Sequence, residues 1–228
     1  MITNRQLLLP YALPYLAYVG IASIPAEVLA PHANYLGRLI IVPLLLLWGW
    51  RWYCRLTGPR PVWGSIATGA VAGLAGLLLW LALLAPFVQP DKADPWTVQT
   101  FLLRLLCAGL VVPLFEELMM RGFAFRLALQ WDQARRSGQP DPLHVALDQR
   151  CINEVEPGHW SWPAVVFSTL AFTAGHTMAE WPAAVAYGLL MAWLLIRRQD
   201  LIACITAHAI TNISLALFIY ATDSWHFW

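Results

Sequence analysis

The chain has 228 residues, 59% of them hydrophobic and 12% charged, and its formal net charge is +1. Soluble domains run near 45–50% apolar and about 25% charged, so this balance excludes disorder, a nucleic-acid binder and an ordinary soluble enzyme. Together with a mean hydropathy of +0.58 and thirteen Trp, it predicts an all-α, polytopic transmembrane helix bundle.

A helix crossing about 30 Å of hydrocarbon needs about 20 mostly apolar residues. On that measure spans are expected near 7–26, 35–52, 63–88, 98–120, 161–177, 182–196 and 201–221. The first carries Pro10 and Pro14, which interrupt the run. With only Arg5 before it, it is read as a retained membrane helix rather than a cleaved signal peptide. In the third, Gly69, Gly73 and Gly76 make a small-residue face for close helix packing. The fifth and sixth are short and could cross a thinned bilayer or form a re-entrant hairpin turning around 175–182. The whole of 1–228 reads as one integral membrane domain, with a polar cytoplasmic loop at 131–160 that an amphipathic helix continuing from Arg121 through Trp131 can lead into.

Arginine marks every second connection: Arg51, Arg55 and Arg60, then Arg135, Arg136 and Arg150, then Arg197 and Arg198. The alternate connections carry Glu27, then Asp91, Lys92 and Asp94, then Glu180, and Asp223 follows the last span. The positive-inside rule makes the arginine loops cytoplasmic, with the N-terminus inside and seven crossings. Trp residues at the span ends agree with that placement. Cys54, Cys107, Cys151 and Cys204 are scattered singly, without a CxxC pair, and read as small buried or loop thiols. Arg38 is expected at the interface, and Arg104 as a partnered or snorkelling residue.

Ionisable groups inside hydrocarbon cost about 2.5–3.5 kcal/mol each on the mildest scale, so they need a reason. Three clusters stand out: Glu116 and Glu117 in PLFEELMMRGF, His176 closing FSTLAFTAGH, and His208 with Asn212 in CITAHAITN. Adjacent positions point about 100° apart on a helix, so Glu116 and Glu117 are not expected to serve one contact. Glu117 and Arg121 are i and i+4 with the acid first, the favourable order for a pair, which leaves Glu116 free to face a cavity. Phe172 lies one turn before His176, and His208 and Asn212 share a face. A bundle held by buried interhelical hydrogen bonds is the bland reading. Four titratable groups and an amide are more than packing requires.

Two chemistries suit such a set. Glu116 can act as general base toward water while imidazole or amide N–H groups stabilise an oxyanion. Alternatively Glu116, His176 and His208 can bind zinc, which makes the nucleophile. The chain has no HExxH, no GxSxG and no pair of intramembrane aspartates, which leaves a Glu/His hydrolase.

The strings Glu116-Glu117-Leu-Met-Met-Arg121, Phe172-Thr-Ala-Gly-His176 and His208-Ala-Ile-Thr-Asn212 resemble the EExxxR, FxxxH and HxxxN motifs of the CPBP (Abi) family. That family holds the type II CAAX prenyl endopeptidases and related bacteriocin-processing or immunity proteins. The resemblance covers a core at about 98–220, with the motifs in order. A branch accompanying exosortase systems is similar in size and Trp-rich style.

The resemblance implies an intramembrane endopeptidase, usually of eight helices, in the cell (inner) membrane with its site opening to the cytoplasmic side. Carried over, Glu116 would activate the water with help from His176, and His208 and Asn212 would stabilise the oxyanion. Glu117, Arg121 and Phe172 would support them. The metal-free route needs no cofactor, with zinc as the alternative. The implied partners are membrane lipid and a peptide or protein substrate, prenylated in the CAAX class, and no nucleic acid. Two rival functions are a catalytically silent scaffold or bacteriocin immunity factor, and an ion-coupled carrier. The carrier would show inverted repeats, and the sequence has none visible.

Overall fold

The computed structural model describes residues 2–89 and 96–227, all helix and connecting loop with no strand among them. The loop charges Asp91, Lys92 and Asp94 lie outside the described residues. The helices are α1 (Asn4–Ala22), α2 (Pro31–Gly49), α3 (Val62–Leu84), α4 (Val98–Arg136), α5 (Pro142–Asp148), α6 (Trp162–Ala174), α7 (Trp181–Arg198) and α8 (Leu201–Thr222).

Helix α1 runs unbroken through Pro10 and Pro14, so the prolines do not interrupt it as their presence suggested. Pro14 has no N–H to give the carbonyl of Pro10, and the Tyr53 hydroxyl donates to that carbonyl at 2.9 Å instead. The backbone N–H of Cys54 in turn donates to the Tyr11 hydroxyl at 2.6 Å, locking α1 to the loop after α2.

Four helices among the described residues are long and apolar enough to cross a membrane: Pro31–Trp52, Val62–Phe87, Val98–Arg136 and Leu201–Thr222. The sequence reading had seven crossings. Helix α6 has 13 residues, roughly 20 Å at 1.5 Å each, which is short of a full span. Helices α1 and α7 are long enough, but their polar ends (Asn4, Arg5 and Gln6; Arg197 and Arg198) dilute them. Outward-facing Leu, Ile and Trp such as Leu47, Trp63, Leu78 and Leu170 form the lipid-facing surface.

Helix α3 lies against α8 through its glycine face. A Cβ at Gly69 would sit 2.5 Å from the Ala203 carbonyl oxygen, and one at Gly73 2.6 Å from that of Ala207. No side chain fits there, which is why the backbones can approach.

Helix α4 continues without a break from the 98–120 span through the expected amphipathic stretch ending at Trp131 and on to Arg136, and α5 forms within the 131–160 segment, so that segment is not one loop. Arg135 and Arg136 both pair with Asp132, at 2.8 and 2.9 Å, which supports the extra turns. Two stretches of α4 are wound as π-helix, Cys107–Val111 and Leu118–Ala124. Pro113 cannot donate to the carbonyl one turn back, and the helix widens just before it.

The four cysteines are all buried and free. Arg38 is buried in the bundle: its guanidinium carbon lies 4.1 Å from the Tyr35 ring centroid and 4.9 Å from that of Tyr18. Aromatic faces substitute for water around the charge. Arg104 stacks on Trp96 at 4.0 Å.

Candidate active site

Helices α4, α6, α7 and α8, with Trp80 of α3, enclose a cavity of about 200 Å³. Glu116, Phe172, His176, His208 and Asn212 all line it. Glu117 and Arg121 lie behind its wall, fully buried.

The support is built on α4. Arg121 Nη1 donates to Glu117 Oε1 at 3.2 Å with both side chains at 0% exposure, and Nη2 donates to the Gly188 carbonyl on α7 at 3.3 Å. The guanidinium also sits 5.0 Å from the Phe172 ring centroid on α6. One arginine thus ties three helices together. Glu117 Oε2 and Arg121 Nε have no hydrogen-bond partner among the described residues, a costly state in a buried pair.

Glu117 Oε1 also meets His208 Nδ1 at 2.9 Å. A carboxylate oxygen accepts, so Nδ1 carries the hydrogen and the other ring nitrogen is turned away from Glu117. That nitrogen, Nε2, lies 3.9 Å from Glu116 Oε2. Glu117 is thus hydrogen-bonded to one edge of the imidazole while Glu116 faces the other edge. The roughly 100° rotation between adjacent positions holds, and the two acids do not serve one contact. The 3.9 Å gap exceeds hydrogen-bond length, so Glu116 is not consumed by that contact and stays available to the cavity.

His176 closes α6. Its Nδ1 donates to the Phe172 carbonyl at 2.9 Å, which leaves Nε2 as a free acceptor in the neutral ring. The ring is packed between Phe172 (4.6 Å centroid separation) and Trp80 (5.4 Å). Asn212 Nδ2 donates to the Ala108 carbonyl at 2.8 Å, and Ala108 belongs to the first π segment. One amide hydrogen is used there and the second remains for the cavity.

Several contributors carried no signal in the sequence reading. The Tyr187 hydroxyl donates to Thr211 Oγ1 at 3.0 Å, and Thr211 donates to the Gly73 carbonyl at 2.8 Å. The Tyr187 ring lies 5.8 Å from that of His208. Tyr18 and Trp80 also form wall. Tyr and Thr inside apolar helices look like ordinary packing, and π winding has no simple residue pattern. Glu180, read as a loop charge, lines the cavity edge and accepts from the Thr177 N–H at 2.8 Å and its hydroxyl at 2.7 Å. Trp181 donates its indole N–H to the His176 carbonyl at 3.1 Å, so it fixes the α6–α7 turn.

Among the described residues, no three His, Cys, Asp or Glu side chains come together as a set that would hold a metal ion. His208 Nδ1 is bonded to Glu117, which leaves its Nε2 facing Glu116 Oε2 across 3.9 Å.

The sequence model for type II CAAX prenyl endopeptidase Rce1-like proteins matches residues 98–214 of this chain. Over 151 residues the chain is 30% identical to a DNA repair protein RecO of Burkholderia pseudomallei (strain 1710b), covering 61% of this chain and 54% of that protein. The chain thus spans about half the length of the curated relative it matches. No solved structure matches.

Proposed function

The chain belongs to the type II CAAX prenyl endopeptidase Rce1-like family of membrane proteases, and we propose that it cleaves a peptide bond by water that Glu116 activates. We place it as a multi-pass protein of the cell (inner) membrane. The observation that carries the mechanism is the meeting of Glu116 and His208, 3.9 Å apart, on a cavity that His176 and Asn212 also line.

In this reading the Glu116 carboxylate takes a proton from water, with His176 Nε2 as the second acceptor nearby. The oxygen of that water bonds to the scissile carbonyl carbon. The charge then moves to the carbonyl oxygen, which receives the spare Asn212 N–H and, when its ring is protonated on both nitrogens, the His208 Nε2–H. Collapse breaks the C–N bond, and the proton held by Glu116 passes to the leaving amine. Glu117 holds His208 in the orientation this needs, and Arg121 and Phe172 hold Glu117 and His176. No step runs through a metal.

The apolar walls at Val112, Phe172 and Leu215 suit an extended segment with a hydrophobic side chain. The substrate class is a membrane-associated peptide or protein, with a prenylated C-terminal tail as one form. A net charge of +1 and a lipid-facing apolar surface supply no field for a nucleic acid.

The test uses the purified chain in detergent with prenylated and unprenylated C-terminal peptides, and the metal content of the same sample. Cleavage is expected, and Glu116→Gln should lower it by about 10²–10⁴-fold, the usual worth of a positioned base. Undiminished turnover by folded Glu116→Gln would overturn the assignment.

A further inference from the structure

The three arginine-bearing loops meet at one end of the bundle, the arginine end. There Arg198 Nη2 donates to Ser65 Oγ at 2.9 Å, the Leu201 N–H donates to the Leu56 carbonyl at 2.9 Å, and Asn153 Nδ2 donates to the Trp52 carbonyl at 3.4 Å. Arg5 pairs with Asp148 at the same end. A second cavity of about 370 Å³ lies there, bounded by the α2–α3 loop, α4, the α5–α6 loop and the α7–α8 turn. It shares no wall residue with the cavity at Glu116. Its size falls in the range of about 300–1,000 Å³ that suits small ligands.

The polar lining is cationic. Arg55 and Arg126 line it together with Thr57, Asn153 and Gln199, and no carboxylate does among the described residues. Arg5, Arg135 and Arg136 each pair with an aspartate, whereas Arg55 and Arg126 have no ion-pair partner among the described residues. The acids of the bounding loops are placed otherwise. Asp200 accepts from the Ala203 N–H at 2.9 Å and from the Ser65 hydroxyl, Glu156 pairs with His159 at 3.2 Å, and Glu154 makes no ion pair among the described residues. Arg126 is held in place, because its Nη1 donates to the Ile152 carbonyl at 3.3 Å and leaves the rest of the guanidinium fork for a ligand. Gln199 adopts a left-handed backbone, φ 65°, where glycine would be cheaper, and so keeps an amide against the cavity. Gly158 makes room for that amide: a Cβ there would lie 2.5 Å from Gln199 Nε2.

The neighbouring indoles set the depth. Trp50 and Trp63 bracket the α2–α3 loop, Trp160 and Trp162 lie at the end of the α5–α6 loop, and all four are exposed. Such rings settle where membrane meets water, at the level of the lipid headgroups. We propose that this cavity binds a phosphate group, carried by the headgroup of an acidic phospholipid. A planar guanidinium presents parallel N–H groups to phosphate oxygens, and basic pockets between membrane helices suit such headgroups. Arg126 supplies the fixed contact and Arg55, exposed in its loop, the mobile one. Thr57, Asn153 and Gln199 carry donors for the remaining oxygens. The bound phosphate joins the α2–α3 loop to α4. The site is separate from Glu116, so it stands or falls independently of the proteolytic reading.

Native mass spectrometry of the purified full chain in detergent counts bound lipid as phosphatidylglycerol or phosphatidylcholine is titrated in. Phosphatidylglycerol should saturate at one tightly held molecule per chain, with phosphatidylcholine held much more weakly. Arg55→Gln and Arg126→Gln should each weaken that binding about tenfold, the scale of a charge-assisted hydrogen bond. Arg60→Gln, in the same loop but outside the cavity, should leave it unchanged. Thermal unfolding in inorganic phosphate against chloride, at equal ionic strength, separates the two sources of phosphate. A rise in melting temperature that needs Arg55 and Arg126, without a phosphatidylglycerol adduct, supports the phosphate site and assigns it to the free ion. Equal weakening by Arg60→Gln, or no arginine-dependent binding of either probe, overturns the proposal. If Arg126→Gln fails to fold, Arg55→Gln, at an exposed side chain, gives the answer.

Discussion

Two arginine–carboxylate pairs sit at different depths in this molecule. Arg121 and Glu117 are both wholly buried, 3.2 Å apart, in the middle of the bundle. Arg5 and Asp148 meet at 2.5 Å at the arginine end, with side chains 63% and 23% exposed. The chemistry is the same and the consequences differ. Water can hydrate either member of the exposed pair when its partner leaves, so little is lost. Nothing replaces a partner inside the bundle, and an orphaned charge there is expensive. The buried pair is also joined to His208, so its geometry reaches the cavity, whereas the exposed pair only joins α1 to α5.

Removing the buried cation should break that contrast most clearly. Arg121→Ala is expected to cost about 3–5 kcal/mol of stability, because Glu117 is left charged and unpaired in an apolar setting. Thermal unfolding in detergent measures it, and an unchanged melting temperature would mean that the pair does not hold the bundle. Cleavage should fall as well, since Glu117 orients His208.

A smaller loss is expected at Gly76. A Cβ there would lie 2.5 Å from Tyr187 Cε2 and 2.9 Å from Thr211 Oγ1, both buried and bonded to each other. Gly76→Ala should cost about 1–3 kcal/mol, the usual range for forcing a methyl into a filled core. It should also displace Tyr187 from the His208 ring, seen as a larger loss of turnover than of peptide binding. Wild-type turnover in that variant would separate helix packing from the site.

The exposed pair should show the least effect, and only in a particular pH range. The hydrogen bond from Arg5 holds the Asp148 carboxyl below its ordinary value, with His144 contributing less. A depressed carboxyl stabilises the folded chain above the unfolded value of about 3.9, and that contribution disappears as pH falls through the lower folded value. The small melting-temperature difference between the unsubstituted chain and Arg5→Ala should therefore be present at neutral pH and close only in strong acid. A difference that grows on acidification would contradict the assigned pair.

Much of the site was legible before any coordinates, for identifiable reasons. Glu117 and Arg121 are four apart on one helix, and helical periodicity alone makes them neighbours. Gly69, Gly73 and Gly76 marked the face on which α8 lies, because only bare backbone permits that approach. Other parts were not legible. The contact of Glu117 with His208 joins residues 91 apart on different helices, and no local rule predicts which imidazole edge meets which acid. The π winding at Cys107–Val111 places the Ala108 carbonyl against Asn212, and only the packed bundle selects it over an ordinary α turn.

The sequence by itself determined a helical membrane protein with ionisable motifs on separate helices, and which loops share the arginine-rich side. Hydropathy, periodicity and charge are properties of the residues in order, so they can be read without a fold. Tertiary structure alone decided that Glu117 bonds one nitrogen of His208 while Glu116 faces the other. It also placed the cavity on the side of Glu116 that faces away from Arg136. Each depends on the distances at which separate helices pack, which no single stretch of chain encodes.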